Sequence, residues 1–96
     1  MRVISKRRIR DFAQGNLKSA AGPLFRWADV AKGSSWANPS ELKEVFGSAD
    51  FVGDLTVFDI GGNKYRLIAF IDYRRQIIYI KDILTHKQYD KGDWKK

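Results

Sequence analysis

The stretch Thr56-Val57-Phe58-Asp59-Ile60-Gly61-Gly62-Asn63-Lys64-Tyr65-Arg66-Leu67-Ile68-Ala69-Phe70-Ile71-Asp72 decides the fold. Its hydrophobic period is two. Thr56, Phe58 and Ile60 alternate with Val57 and Asp59. After the turn, Tyr65, Leu67, Ala69 and Ile71 point one way and Lys64, Arg66, Ile68 and Phe70 the other, because successive strand side chains alternate between faces. Gly61-Gly62-Asn63 between the two runs reads as a tight hairpin turn, since glycine and asparagine tolerate positive φ. The pair is an antiparallel hairpin.

The same pattern extends toward the C-terminus. Tyr73-Arg74-Arg75 turns the chain and Gln76 to Leu84 forms the next strand. Its centre, Ile77-Ile78-Tyr79-Ile80, is apolar on both faces, which places it inside the sheet. Thr85 is positioned to cap a short helix or turn over His86 to Asp90. On the N-terminal side the period becomes helical. Met1 to Ile4 reads as a short strand and Ser5 as an N-cap, with Ile9, Phe12 and Ala13 forming an i, i+3, i+4 stripe that ends at Gly15-Asn16. A second helix is expected over about Ser19 to Lys32, where Ala21, Leu24, Ala28 and Ala31 keep a helical period that begins at Leu17, with Pro23 tolerated near its first turn. Trp36 in the following loop reads as a packing residue. Asn38-Pro39-Ser40-Glu41 is a helix start with a cap, a proline at N1 and a glutamate at N3. Leu42, Val45 and Phe46 are expected to form the buried side of that helix. The sum is one α+β domain over residues 1–96, with a small antiparallel sheet of three to four strands and two to three helices packed on one face.

Composition narrows the chemistry. The 96 residues suffice for one domain, and 44% apolar with 30% charged is a globular balance rather than a disordered one. There is no cysteine and one histidine, which excludes disulfide scaffolds, thiol nucleophiles and cysteine zinc sites. No apolar run approaches the ~20 residues of a membrane span and no apolar segment follows the basic N-terminus, so a cytoplasmic protein without membrane association is expected. The net charge is +7 and unevenly spread. Residues 1–10 hold five basic groups (Arg2, Lys6, Arg7, Arg8, Arg10) and no acid. Residues 11–63 hold four basic and seven acidic groups, and residues 64–96 nine basic and four acidic. If the fold brings the two ends together it makes one positive face suited to a polyanion, with nucleic acid first.

The densest polar stretch is Thr85-His86-Lys87-Gln88-Tyr89-Asp90-Lys91, directly after a buried strand. On a helix, His86 shares a side with Tyr89 at i+3 and Asp90 at i+4, and a carboxylate beside an imidazole fixes its tautomer. Cleaving RNA without a metal requires a proton taken from the 2′-hydroxyl, a proton given to the departing 5′-oxygen, and cations for the crowded phosphate. His86, Tyr89 and Lys87 suit proton transfer; Arg66, Lys64 and Lys81 on neighbouring strands suit the phosphate. Each residue also has a plainer reading. Arg66 can pair with Asp59 across the hairpin, Tyr89 can be a packing residue with a wet hydroxyl, a lone surface histidine is often incidental, and the basic first helix can be a solvated face. His86 and Asp90 supply two metal ligands without a third, so no metal and no cofactor is expected. Two other functions fit the same features: a non-catalytic basic RNA-binding module, or an interaction protein whose basic face meets an acidic partner.

The pattern as a whole resembles the HigB family of bacterial toxins and, more broadly, RelE-like endoribonucleases. The residues that carry the resemblance are Val57-Phe58-Asp59-Ile60, Gly61-Gly62-Asn63-Lys64-Tyr65-Arg66-Leu67-Ile68, Asp72-Tyr73-Arg74-Arg75-Gln76 and Thr85-His86-Lys87 with Tyr89-Asp90, together with the helix start Asn38-Pro39-Ser40-Glu41-Leu42-Lys43. The resemblance implies a toxin that binds the ribosomal A site and cuts mRNA there without a metal. It implies neutralisation by a cognate helix-turn-helix antitoxin, with operator DNA bound only through that antitoxin. It implies Arg66 as the phosphate-stabilising residue, with Lys64 and Lys87 as nearby basic groups. It gives proton transfer to His86 or Tyr89. On this reading Asp90 orients His86, and Lys6, Arg7, Arg8, Arg10, Arg74 and Arg75 meet ribosomal RNA, with Lys81 also on the RNA side.

Overall fold

The computed structural model describes residues 1–15, 21–62 and 64–95. In chain order it holds β1 (Arg2–Ile4), α1 (Lys6–Gly15), α2 (Ala21–Lys32), α3 (Pro39–Val45), β2 (Asp50–Val52), β3 (Leu55–Ile60), β4 (Tyr65–Asp72), β5 (Ile77–Thr85), α4 (His86–Asp90) and a 3-10 turn, Asp93–Lys95. The strands make one sheet in the order β1-β5-β4-β3-β2. The meander β2 to β5 is antiparallel, and β1 joins the outer edge of β5 in parallel. The sheet thus has five strands where the sequence reading counts three to four. The difference lies at its edges. β1 and β2 are three residues long, too short to show a period, and the parallel pairing of β1 crosses most of the chain.

The hairpin forms as its residues dictate. Gly61 and Gly62 take φ values of 64° and 61°, and a Cβ on Gly61 would meet the Tyr65 ring at 3.4 Å. Asn63 of that turn, the helix-2 residues Leu17 and Ser19, and the side chains of Lys6 and Ala13 lie outside what the structure describes. Tyr65, Leu67, Ala69 and Ile71 all enter the core beneath the helices, joined by Ile9 of α1 and by Leu24, Trp27, Ala28 and Ala31 of α2. Trp36 is buried there too, as expected. Phe46 and Phe58 meet edge to face at 5.1 Å, and Trp27 meets Phe58 at 5.2 Å, an aromatic cluster that ties α2 and the end of α3 to β3.

The caps are local and follow the sequence. The Glu41 amide donates to Asn38 Oδ1 at 3.0 Å, Pro39 is the first helical residue, and the Glu41 carboxylate reaches back to the Ala37 amide. Val45 departs from expectation: it is 48% exposed, and α3 buries only Leu42 within its length. Seven residues make too little helix to bury a full stripe, and Phe46 covers the core from the cap position instead. Ser5 starts α1 with its carbonyl accepting from the Arg8 amide at 2.9 Å. Its φ of 78° is left-handed rather than the extended backbone usual for an N-cap.

β5 carries a bulge. Ile68 pairs with Asp82 and Ala69 with Ile80, so Lys81 is the extra residue. The bulge shifts the alternation by one. Tyr79, Asp82 and Leu84 therefore all share the sheet face of Phe70, Ile68 and Arg66, the face opposite α1 and α2.

Candidate functional site

The site is built at the end of β4 where the chain leaves the hairpin. Arg66 pairs in register with Asp59 on β3 and with Leu84 on β5. Its Nε lies 3.1 Å from Asp59 Oδ1, and its Nη1 donates to the Tyr65 carbonyl at 3.2 Å. The residue is 8% exposed. An arginine this buried has to be paired, because an uncompensated charge away from water is costly. The plain reading of Arg66 as a cross-hairpin ion pair is therefore correct as geometry.

α4 closes over this arginine. Thr85 Oγ1 accepts from the Gln88 amide while Gln88 Oε1 accepts from the Thr85 amide, a reciprocal capping box. The His86 amide donates to the Lys64 carbonyl at 3.0 Å and anchors the helix start to the strand before Arg66. Tyr89 then lies over Arg66, with the guanidinium carbon 5.3 Å from its ring centroid. Gly92, at φ 75°, ends the helical path and turns the chain back. Trp94 stacks on Tyr89 at 5.0 Å and 16° between planes, its Nε1 donating to the Tyr89 carbonyl at 3.0 Å. Guanidinium, phenol and indole therefore form one cluster around Tyr89.

His86 and Asp90 sit on the outer side of the same helix, both well exposed, with Nδ1 to Oδ2 2.9 Å. A proton on Nδ1 held by this carboxylate makes Nε2 the nitrogen able to accept one. Lys87, next to His86 in the chain, and Lys64, whose carbonyl accepts from the His86 amide, are both exposed. Beside Trp94, a cleft of about 370 Å³ is lined by Asp82, Leu84, Gln88, Lys91, Asp93 and Trp94. Among the described residues no three His, Asp or Glu side chains gather that could hold a metal ion.

Of the residues singled out in the sequence, Arg66, Lys64, His86, Lys87, Tyr89 and Asp90 gather at one end of the sheet. Tyr89 turns inward to Arg66 and Trp94, so it does not share the exposed side of His86 and Asp90. Lys81 is exposed at the bulge in the middle of β5. Arg8 lies with Asp11, Phe12, Asp82 and Ile83 around a cleft of about 300 Å³. The first helix therefore runs beside β5, and the cleft between them sets Arg8 against Asp11 and Asp82. Arg7 pairs loosely with Asp11 at 3.9 Å, Arg10 is exposed, and Lys6 lies outside the described side chains. Arg74 and Arg75 stand at the opposite end of β4, Arg75 pairing with Asp72 at 3.6 Å. Asp59 enters the site as the ion-pair partner the hairpin register suggests, but one site residue escapes sequence reasoning: Trp94 lies five residues from Tyr89, a separation no helix brings face to face. The one signal is Gly92 between them.

Comparison with solved structures defines the class. A chain of the archaeal RelE–RelB complex from Pyrococcus horikoshii OT3 aligns with TM-score 0.55 and 19% identity, covering 88% of this chain and 93% of that one. The likeness is one of fold, a RelE-like α+β domain. Sequence comparison is more particular. The family model HigB toxin, described as the RelE-like toxic component of a toxin–antitoxin system, matches residues 20–92. The mRNA interferase toxin HigB of Escherichia coli (strain K12) is 31% identical over 93 residues, 94% of this chain and 88% of that protein. The mRNA interferase HigB of Escherichia coli O6:H1 is 31% identical over 96 residues, 95% of this chain and 90% of that protein. The chain belongs to the HigB toxin family.

Proposed function

We propose that the chain is an endoribonuclease that cuts mRNA on the translating ribosome and is neutralised by a cognate antitoxin. The observation that carries this reading is the arginine–tyrosine contact at the foot of α4, beside an exposed histidine–carboxylate pair. It puts a fixed cation, a phenol and an imidazole at one corner of a strongly basic protein. The names of the HigB relatives support it. No helix among the described residues is long and apolar enough to cross a membrane.

In the proposed reaction His86 Nε2 and the Tyr89 hydroxyl share proton transfer, one taking the proton of the 2′-hydroxyl and the other giving a proton to the 5′-oxygen. The 2′-oxygen to phosphorus bond forms as the bond from phosphorus to the 5′-oxygen breaks, leaving a cyclic phosphate. Asp90 orients His86. Lys64 and Lys87 hold the phosphate at the rim, and Arg66 stabilises its developing charge. Arg7, Arg8 and Arg10 meet ribosomal RNA phosphates, with Lys6, Lys81, Arg74 and Arg75 extending the contact. The antitoxin is a helix-turn-helix protein, and operator DNA is bound only through it. The site of action is the cytoplasm, and no metal or cofactor takes part.

The test is cell-free translation with purified protein, read by primer extension with and without ribosomes. Cuts at discrete codons only during translation are expected, lost in Arg66→Ala and His86→Ala. A folded, partner-free protein that makes no cuts overturns the reading in favour of a non-catalytic RNA-binding module.

A further inference from the structure

Phe70 and Tyr79 form an aromatic ledge on the sheet face opposite α1 and α2. They are direct cross-strand partners, with ring centroids 6.2 Å apart and planes tilted by 37°. Phe70 remains 37% exposed, and neither ring belongs to the core under the helices. The ledge lies on the same strand and the same face as Arg66, four residues away, a separation of roughly 13 Å. The two aromatic platforms of this face, Tyr89 with Trp94 at one end and Phe70 with Tyr79 further along, therefore stand too far apart to hold one base and on one line to hold one strand.

The charge along that line suits a polyanion. Asp59 and Asp72 on this face are already paired with Arg66 and Arg75. Asp82 is half-buried, accepts from the Ile83 amide and stands next to exposed Lys81. Exposed Lys64 and Lys81 flank the path, and exposed Arg2 falls in register with Ile77 at its far end. Val57 and Ile68 on this face are buried, whereas Phe70 stays open to solvent with Tyr79 half-buried beside it, and rings bordered by cations are how sequence-tolerant single-strand sites hold bases.

We propose that Phe70 and Tyr79 are a second base-stacking subsite, which takes an unpaired nucleotide of the single-stranded RNA whose scissile phosphate lies at Arg66. The inference rests on the endoribonuclease reading above and deepens it: the ledge holds the strand in line with the site.

The experiment compares wild type, Phe70→Ala, Tyr79→Ala and Phe70→Trp in ribosome-programmed cleavage of one message, with rates followed against ribosome concentration. Thermal unfolding of each variant runs in parallel. Stacking on one aromatic corresponds to roughly a 5- to 150-fold change in binding. Phe70→Ala is expected to raise the half-saturating ribosome concentration within that range, with a smaller change in the maximal rate. Phe70→Trp restores it, whatever order the melting temperatures follow. Wild-type saturation in a folded Phe70→Ala variant overturns the subsite and leaves the endoribonuclease reading standing. Cleavage at wild-type levels that escapes neutralisation by the antitoxin also overturns it, assigning the ledge to the protein partner. No cleavage by wild type removes the parent reading, and the subsite with it.

Discussion

Asp59 and Arg66 face each other across the β3–β4 hairpin, carboxylate to guanidinium at 3.1 Å, with Arg66 almost fully enclosed. The pair helps hold the guanidinium under Tyr89, so the stability of the sheet end and the geometry of the candidate site share this contact. Removing one partner of a buried pair strands the other charge, which costs more than the pair contributes. Asp59→Ala is expected to lower unfolding free energy by about 3 kcal/mol. Adding Arg66→Met to it should recover most of the loss while leaving no cleavage. Urea denaturation of the single and double variants, with the cleavage assay beside it, checks both statements.

Trp94 stacks on the Tyr89 ring and donates to its carbonyl. Trp94→Ala is expected to cost about 1 kcal/mol, the worth of an aromatic pair, and to leave cleavage in place. Complete loss of cleavage in a folded Trp94→Ala protein would show that the indole holds Tyr89 in its working position.

Tyr73 carries a buried hydroxyl with no hydrogen-bond partner among the described residues, and burial pushes its pKa above the usual 10.0. A pKa raised in the folded state means that stability is fully present below pH 10 and falls as pH rises through the higher folded value. Tyr73→Phe removes both the unpaired hydroxyl and this alkaline loss. The variant should match or exceed wild type at neutral pH and show a flatter stability profile above pH 10, measured by denaturant titration at several pH values.

Gln76 links the β4–β5 turn to the loop after α2. Its Nε2 donates to the carbonyls of Trp36 at 2.7 Å and Tyr73 at 2.6 Å, and its Oε1 accepts from Ser35 Oγ at 3.1 Å. Its own carbonyl accepts from the Arg2 amide at 2.9 Å, where β1 joins the sheet, and its φ is 59°. Gln76→Ala loses these side-chain bonds and keeps the left-handed strain, at an expected cost of about 2 kcal/mol. Gln76→Gly loses the same bonds but relieves the backbone, and should be more stable than the alanine variant by about 1 kcal/mol. Chemical denaturation midpoints give the order.

The parts of this protein written in the sequence alone are those whose causes lie within a few residues. The Gly61-Gly62 turn, the two-residue period of β3 and β4, the Asn38 and Thr85 caps and the place of β5 inside the sheet follow from local backbone preference and local burial. The pairing of Asp59 with Arg66 was also legible, because a short hairpin fixes its own register. Tertiary structure decided the rest. The parallel docking of β1 joins residues 75 positions apart, and no local pattern encodes such a contact. The bulge at Lys81 reverses which side chains of β5 share a face, which a strict alternation misassigns. The burial of Arg66 beneath Tyr89 and Trp94 depends on where the chain turns at Gly92 and on what space the sheet end leaves. Side-chain type and spacing determine which chemistry is available; strand register and chain reversal determine which of those groups meet.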